Sequence, residues 1–433
     1  MKKKLEHLAV VGIITLVFLV YILSFSPHHI GNNTNTSLPR NKTVAEQVNE
    51  TPMETETSNR PVEVKYPRIS VKQGNGYTRV EYVFDEVYWV NVIPNGVVLR
   101  SGSGLYFING KEVKKYDLEY GNVRGVFQGY LVAVKGFNVV VMNESDVVWE
   151  KPLEPDSSVG VGKDFVVIVE PYYDAYHDLN ANVTFYFPGS GEKLKYHFRS
   201  GQVPLEYKLL VTGEYAIVGI LYPWYEWELV YFKNGRIVWR EDIGRGCAKG
   251  ASISEVYIEF ELSLDENGYG YTLSDDGRAV NYFNEHNFKG ICLNSSRAVG
   301  VEVFDGCIAL KMKYLGKEKG IYFYKWGDSN VEDFKFKENF SENTVSSDKY
   351  LLALYNDHAS IFDCSGEVLR IAGSYEKAYP LKDDFVLVNE THIYLPFRNL
   401  IIKIEGIKII GSFKNSIVGV QENKVIIINI SSA

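Results

Sequence analysis

The sequence predicts an all-β fold, a β-propeller of eight blades with seven as the alternative, and three observations lead there. Aromatic and β-branched residues dominate, with 31 Tyr and 23 Phe in 433 residues, and such residues favour strands. Short apolar strands recur from Tyr77 onward with turn signals between them, and no stretch after residue 26 shows a helical period. One unit keeps returning: an apolar strand, a second apolar strand, a polar turn often ending in Gly, then a third strand. Steps of about 35–50 residues between such units are the signature of a propeller.

The first element is not part of that ring. Three lysines, Lys2 to Lys4, precede a run over residues 8–25 without a single charge. As a helix this run reaches about 27 Å, close to a hydrocarbon core of roughly 30 Å. A cleaved signal peptide has a shorter apolar core and a small-x-small site. The one option here, Ser24-Phe25-Ser26, is followed at once by Pro27. An uncleaved signal-anchor over residues 8–26 is therefore expected. The lysines hold residues 1–7 in the cytoplasm and place the bulk of the chain outside, as a single-pass cell-membrane protein. Residues 27–65 are rich in Asn, Thr, Ser and Glu, with little to bury, and read as a disordered stalk. Sequons at Asn32, Asn35, Asn41 and Asn49 make that stalk a candidate for glycosylation.

Residues 66–433 form the expected propeller ectodomain. The unit reads YLVAVKGFNVVVMNESDVVWE at 130–150, ELVYFKNGRIVWRED at 228–242 and HASIFDCSGEVLRI at 358–371. Weaker copies start at Leu105, Phe185, Tyr322 and Ile401. Third strands centre near Val113, Val148, Leu194, Val238, Val331, Leu369 and Ile409, and the gap after Val238 leaves room for one more around Lys289. A lone sheet of three or four strands cannot bury both faces, but sheets in a ring bury them on one another. The last strands, residues 416–430, are expected to pair with residues 78–84 and so close the ring and hide its edges. A pair of β-sandwiches is the competing fold and would show no fixed period.

Two units share a Gly, two residues, an aliphatic residue and Trp: Gly235-Arg236-Ile237-Val238-Trp239, and Val147-Val148-Trp149 without the Gly. In this the chain resembles the quinoprotein-like (PQQ-repeat) β-propellers. The resemblance implies that Trp149 and Trp239 pack between blades. The family's quinone enzymes use vicinal cysteines, which this chain lacks, so the likeness is to non-enzymatic scaffold members that hold protein partners.

The four cysteines, Cys247, Cys292, Cys307 and Cys364, lie in the exported region and suit two disulfides, with three connectivities open. One disulfide or buried free thiols is the alternative. The net charge of −8 offers no basic stripe and argues against a nucleic-acid partner. No zinc-protease, nucleophile-elbow or phosphate-loop motif is present, so whether the chain is an enzyme stays open, with a binding role favoured.

Two segments are candidate sites. In residues 171–185, Asp174, Asp178 and Asn180 are candidate metal ligands, because Asp178-x-Asn180-x-Asn182 alternates oxygen ligands as a calcium loop does. Val183 stands where such a loop needs Gly, and Asn and Asp are ordinary turn residues. No cofactor is predicted; calcium here is the one alternative. In residues 221–232, Tyr222, Trp224, Tyr225 and Trp227 could stack on a sugar or grip a protein. Strand alternation offers another account, in which Trp227, Leu229 and Tyr231 share one face and pack between blades. Asp265-Glu266-Asn267-Gly268 and Asp275-Asp276-Gly277 read as hairpin turns. The expected function is an anchored, extracytoplasmic module that binds a protein or glycan of the envelope. The alternatives are an exported hydrolase or lyase with its site in the funnel, or a solute- or metal-binding accessory subunit.

Overall fold

The computed structural model describes residues 67–431, except 111, 119–120, 174–178, 200–205, 223–225, 244–259, 294–295, 315–318 and 327–333. Among the described residues there is no helix, and the strands fall into nine antiparallel sheets. Eight sheets are four-stranded meanders in chain order, blades 1 to 8, spanning residues 87–116, 122–152, 158–199, 207–242, 260–292, 297–338, 344–372 and 377–403. The ninth takes Lys408–Phe413, Ser416–Gln421 and Lys424–Ile430 from the C-terminal end. To these it adds Tyr77–Val83 and Arg68–Gly74 from the N-terminal side. Thr78 pairs with Asn429 and Val83 with Lys424, which joins the two ends of the ring as expected. The inner strand of blade 9, Lys408–Phe413, then lies beside that of blade 1, Val87–Ile93.

The propeller has nine blades, not eight or seven. The miscount has a local cause. Ile401 and Ile409, which the sequence reading joined into one unit, belong to different blades: Leu400–Lys403 is the outer strand of blade 8, and Lys408–Phe413 is the inner strand of blade 9. The Glu405-Gly406 turn between them is an interblade connection, not a hairpin within a blade. Blade 8 is built from strands of only four residues and turns at Pro396 to Asn399 without a glycine, so it gave no repeat signal.

The second strand of a blade is buried on both faces, as Tyr215–Tyr222 and Phe385–Val388 show. Apolar side chains therefore alternate between two seams instead of between core and water. The recurring Val-Trp pair has a definite role in this. In the outer strand of blade 4, Trp239 pairs with Tyr231 and Ile237 with Phe232, so Val238 is one residue too many. The same bulge leaves Val148 extra in blade 2 and Val368 extra in blade 7. A bulge turns the strand: the extra valines face solvent, while the next residue points into the seam. Trp149 stacks on Tyr186 of blade 3 with centroids 4.2 Å apart. Trp239 packs against Phe283 and Phe288 of blade 5 and donates its indole N–H to the Asn284 carbonyl at 2.9 Å.

Four seams share another tie. The hydroxyls of Tyr82, Tyr116, Tyr196 and Tyr231 donate to the carbonyls of Gly110, Gly129, Gly235 and Gly268 in turns of the following blade. Burial pushes the Tyr82 phenol up to about 12 and raises Tyr116 and Tyr231 further, which keeps these three phenols protonated as donors. Gly235 is required here. It has φ +73° in an Asn-Gly turn, and a Cβ would come within 2.9 Å of Phe187 in blade 3. The Cys307–Cys364 disulfide staples blade 6 to blade 7. Cys292 is also disulfide-bonded, and Cys247 lies outside the described residues.

Candidate interaction surface at one end of the ring

Because each blade is a meander, its turns alternate between two ends. The turns joining first to second and third to fourth strands share one end. The second-to-third turns and the connections between blades share the other, called here the connection end. Five aromatic side chains are exposed among the described residues, and four of them lie at the connection end, on three consecutive blades. Tyr88 (60% exposed) and Trp89 (39%) open the inner strand of blade 1, Phe137 (78%) sits in the second-to-third turn of blade 2, and Tyr173 (63%) ends the second strand of blade 3. Phe397 (38%) alone lies at the opposite end.

The segment at residues 221–232 also reaches the connection end, on blade 4. Trp227 does not present its ring to solvent. It is 2% exposed, meets Phe260 of blade 5 edge-on at 4.9 Å, and shares a core cluster with Leu229 and Tyr231. The alternation account thus describes this strand. Lys208 extends over the Phe260 ring at 4.3 Å and donates to the Phe260 carbonyl. The Tyr222 hydroxyl donates to Glu228 at 2.6 Å, and Arg240 clamps the same carboxylate through Nε at 2.6 Å and Nη2 at 2.9 Å. The Arg240 guanidinium in turn lies over Phe198 of blade 3, 5.2 Å from its centroid. Burial, then the Glu228 hydrogen bond, pushes the Tyr222 phenol well up, and the same carboxylate raises Arg240. This is a closed side-chain network that ties blade 4 to blade 3. Trp224 and Tyr225 lie outside the described residues.

Asp174 and Asp178 also lie outside them. Asn180 is buried in the third strand of blade 3, opposite Tyr172 on one side and Arg199 on the other. Among the described residues no group of three or more His, Cys, Asp or Glu side chains is arranged to hold a metal ion. The sequons at Asn32, Asn35, Asn41 and Asn49 and the apolar segment 8–26 fall outside the described residues. Within them no helix is long and apolar enough to cross a membrane.

Asp265 and Asp276 occupy the turns that the sequence indicated, Asp265 in the first-to-second turn of blade 5 at the opposite end and Asp276 in its second-to-third turn at the connection end. Asp265 accepts the N–H groups of Asn267 at 2.9 Å and Tyr269 at 2.8 Å, and Asp276 accepts that of Arg278 at 3.0 Å. Burial, with Asp348 adding to it, pushes the Asp265 carboxyl up to about 6.

Sequence reasoning passed over Tyr88, Trp89 and Phe137. One signal was available: Phe137 follows Gly136 in a tight turn, where a side chain has no second layer to enter. The bulge at Tyr88 had no local signal.

Fold and surface together define a nine-bladed β-propeller with an aromatic connection end. No protein-family pattern matches the chain, and no curated protein matches it. Solved propellers resemble it loosely. The WD40 domain of SCAP from fission yeast is 9% identical over 84% of this chain and 98% of its own, with a TM-score of 0.38. Hsv2 of Kluyvelomyces marxianus is 9% identical over 79% and 98%, with a TM-score of 0.34. The β-propeller domain of the Trilobed protease from Pyrococcus furiosus is 12% identical over 61% and 99%, with a TM-score of 0.33. The fold assignment rests on the nine-sheet topology and not on these likenesses.

Proposed function

We propose that the chain is a surface-displayed interaction module. In this reading residues 8–26 anchor it in the cell membrane with the N-terminus in the cytoplasm, residues 27–65 lift it clear, and the propeller docks a protein or glycan of the envelope. The observation that carries the proposal is the gathering of Tyr88, Trp89, Phe137 and Tyr173 at one end of the ring. Exposing such side chains has a free-energy cost that burial in a partner removes, and Tyr and Trp are enriched at binding hot spots. The seam positions of Trp149 and Trp239 support a scaffold of the quinoprotein-like type. The lysines before the apolar run support the orientation.

An enzyme reading has one observation in its favour, the raised Asp265 carboxyl. Its oxygen already caps a turn, so the binding reading is preferred.

The test is affinity capture from solubilised envelope with the full chain, a Tyr88→Ser/Phe137→Ser/Tyr173→Ser variant, and a Phe397→Ser variant. The proposal expects a partner that the triple variant loses and the Phe397→Ser variant keeps. Equal capture by all three would refute an aromatic docking end.

A further inference from the structure

A recess of about 450 Å³ opens between the inner strands of blades 1 and 2, Val87–Ile93 and Asn122–Phe127. It is lined by Trp89, Asn91, Gly121, Asn122 and Val123. Both strands are irregular at this point. Val87 pairs with Ser101 and Trp89 with Arg100, which leaves Tyr88 extra. Val123 pairs with Ala133 and Gly125 with Val132, which leaves Arg124 extra. Bulges re-aim side chains and recur beside binding sites. Here the irregular strand keeps an indole partly exposed at the ring's inner edge, although every other tryptophan among the described residues is less exposed.

The lining has a distinct chemistry. Among the described residues it presents one aromatic side chain, two carboxamides and the bare backbone of Gly121, and no charged side chain; Arg124 is exposed on its bulge but is not part of the wall. Each carboxamide carries both donors and an acceptor. A sugar ring has the matching set: a C–H face that lies flat on an indole, and hydroxyls that each donate and accept. A purely apolar guest would leave the two amides without partners, and an anion would find no countercharge among the described lining residues. The volume lies within the range of about 300–1,000 Å³ typical of small-molecule sites.

We propose that this recess is a saccharide-binding site for a neutral sugar unit, stacked on Trp89 and hydrogen-bonded by Asn91 and Asn122. This deepens the binding reading given above, naming the ligand class for one part of the connection end.

The test uses the full chain in a non-glycosidic detergent, titrated calorimetrically with chitotriose, mannotriose and maltotriose, and with sialyllactose as the charged counterpart. At least one neutral trisaccharide should bind with a dissociation constant of about 1 mM or tighter. Trp89→Ala should weaken it at least about tenfold, Trp89→Phe much less, and Asn122→Ala several-fold, with thermal unfolding unchanged because Trp89 is not a core residue. Absence of neutral-sugar binding, preference for the charged sugar, or binding indifferent to Trp89→Ala would each overturn the assignment. A captured envelope protein without trisaccharide binding would sink this site and leave the docking reading standing. Absence of both would sink the two together.

Discussion

At the scale of single residues, the aromatic side chains divide into those that build seams and those that meet solvent, and the division follows strand geometry. Trp227 belongs to the seams, fully enclosed between blades 4 and 5. Its replacement by Ala should lower unfolding free energy by about 3–5 kcal/mol, the usual cost of emptying a large aromatic site, and Phe should recover much of that. Chemical denaturation checks both. Asp265 makes a second residue-level prediction. Its carboxyl is raised from 3.8 to about 6, so the folded chain holds this proton more tightly than the unfolded one. Stability from this group is therefore lost as pH rises from about 4 to 6. Asp265→Asn keeps an oxygen to cap the turn and removes the charge. Its melting temperature should match wild type near pH 3.5 and exceed it increasingly up to pH 6, then hold a constant difference. The turn at Asp265 was legible in the sequence because Asn-Gly spacing is a local signal. The raised carboxyl was not, because it arises from burial by neighbouring blades.

At the scale of elements, the repeat that the sequence displays is a bulged outer strand. Val148, Val238 and Val368 are surplus residues in their ladders, and the surplus is what turns Trp149, Trp239 and Leu369 toward the next blade. Strand pairing at the ring's closure was legible for the same reason as the repeat, since both depend on apolar alternation. Blade 8 was not legible: four-residue strands and a glycine-free hairpin leave too little pattern, and an interblade glycine at Gly406 imitates an internal turn. The disulfide pairing was equally hidden, because Cys307 and Cys364 are 57 residues apart and meet only through adjacency of blades 6 and 7. Cys364→Ser should cost about 2–4 kcal/mol, as expected for a cross-link closing a loop of this length. Reductant should shift the wild-type melting curve toward the variant's, and an unchanged curve would contradict a stapling role.

At the scale of the whole molecule, nine blades leave two ends with different surfaces. One end carries the turn-capping carboxylate of Asp265, and the other carries Tyr88, Trp89, Phe137 and Tyr173 across three neighbouring blades. No local motif announced that asymmetry, because residues far apart in sequence come together only when the meanders stack into a ring. The most direct test is site-specific photocrosslinking of the full chain in its native envelope. A photoreactive phenylalanine analogue would replace Phe137, Tyr173 or Phe397 in separate preparations. Docking at the connection end predicts discrete adducts from positions 137 and 173 and none from 397. Adducts from 397 alone, or from all three positions alike, would contradict it.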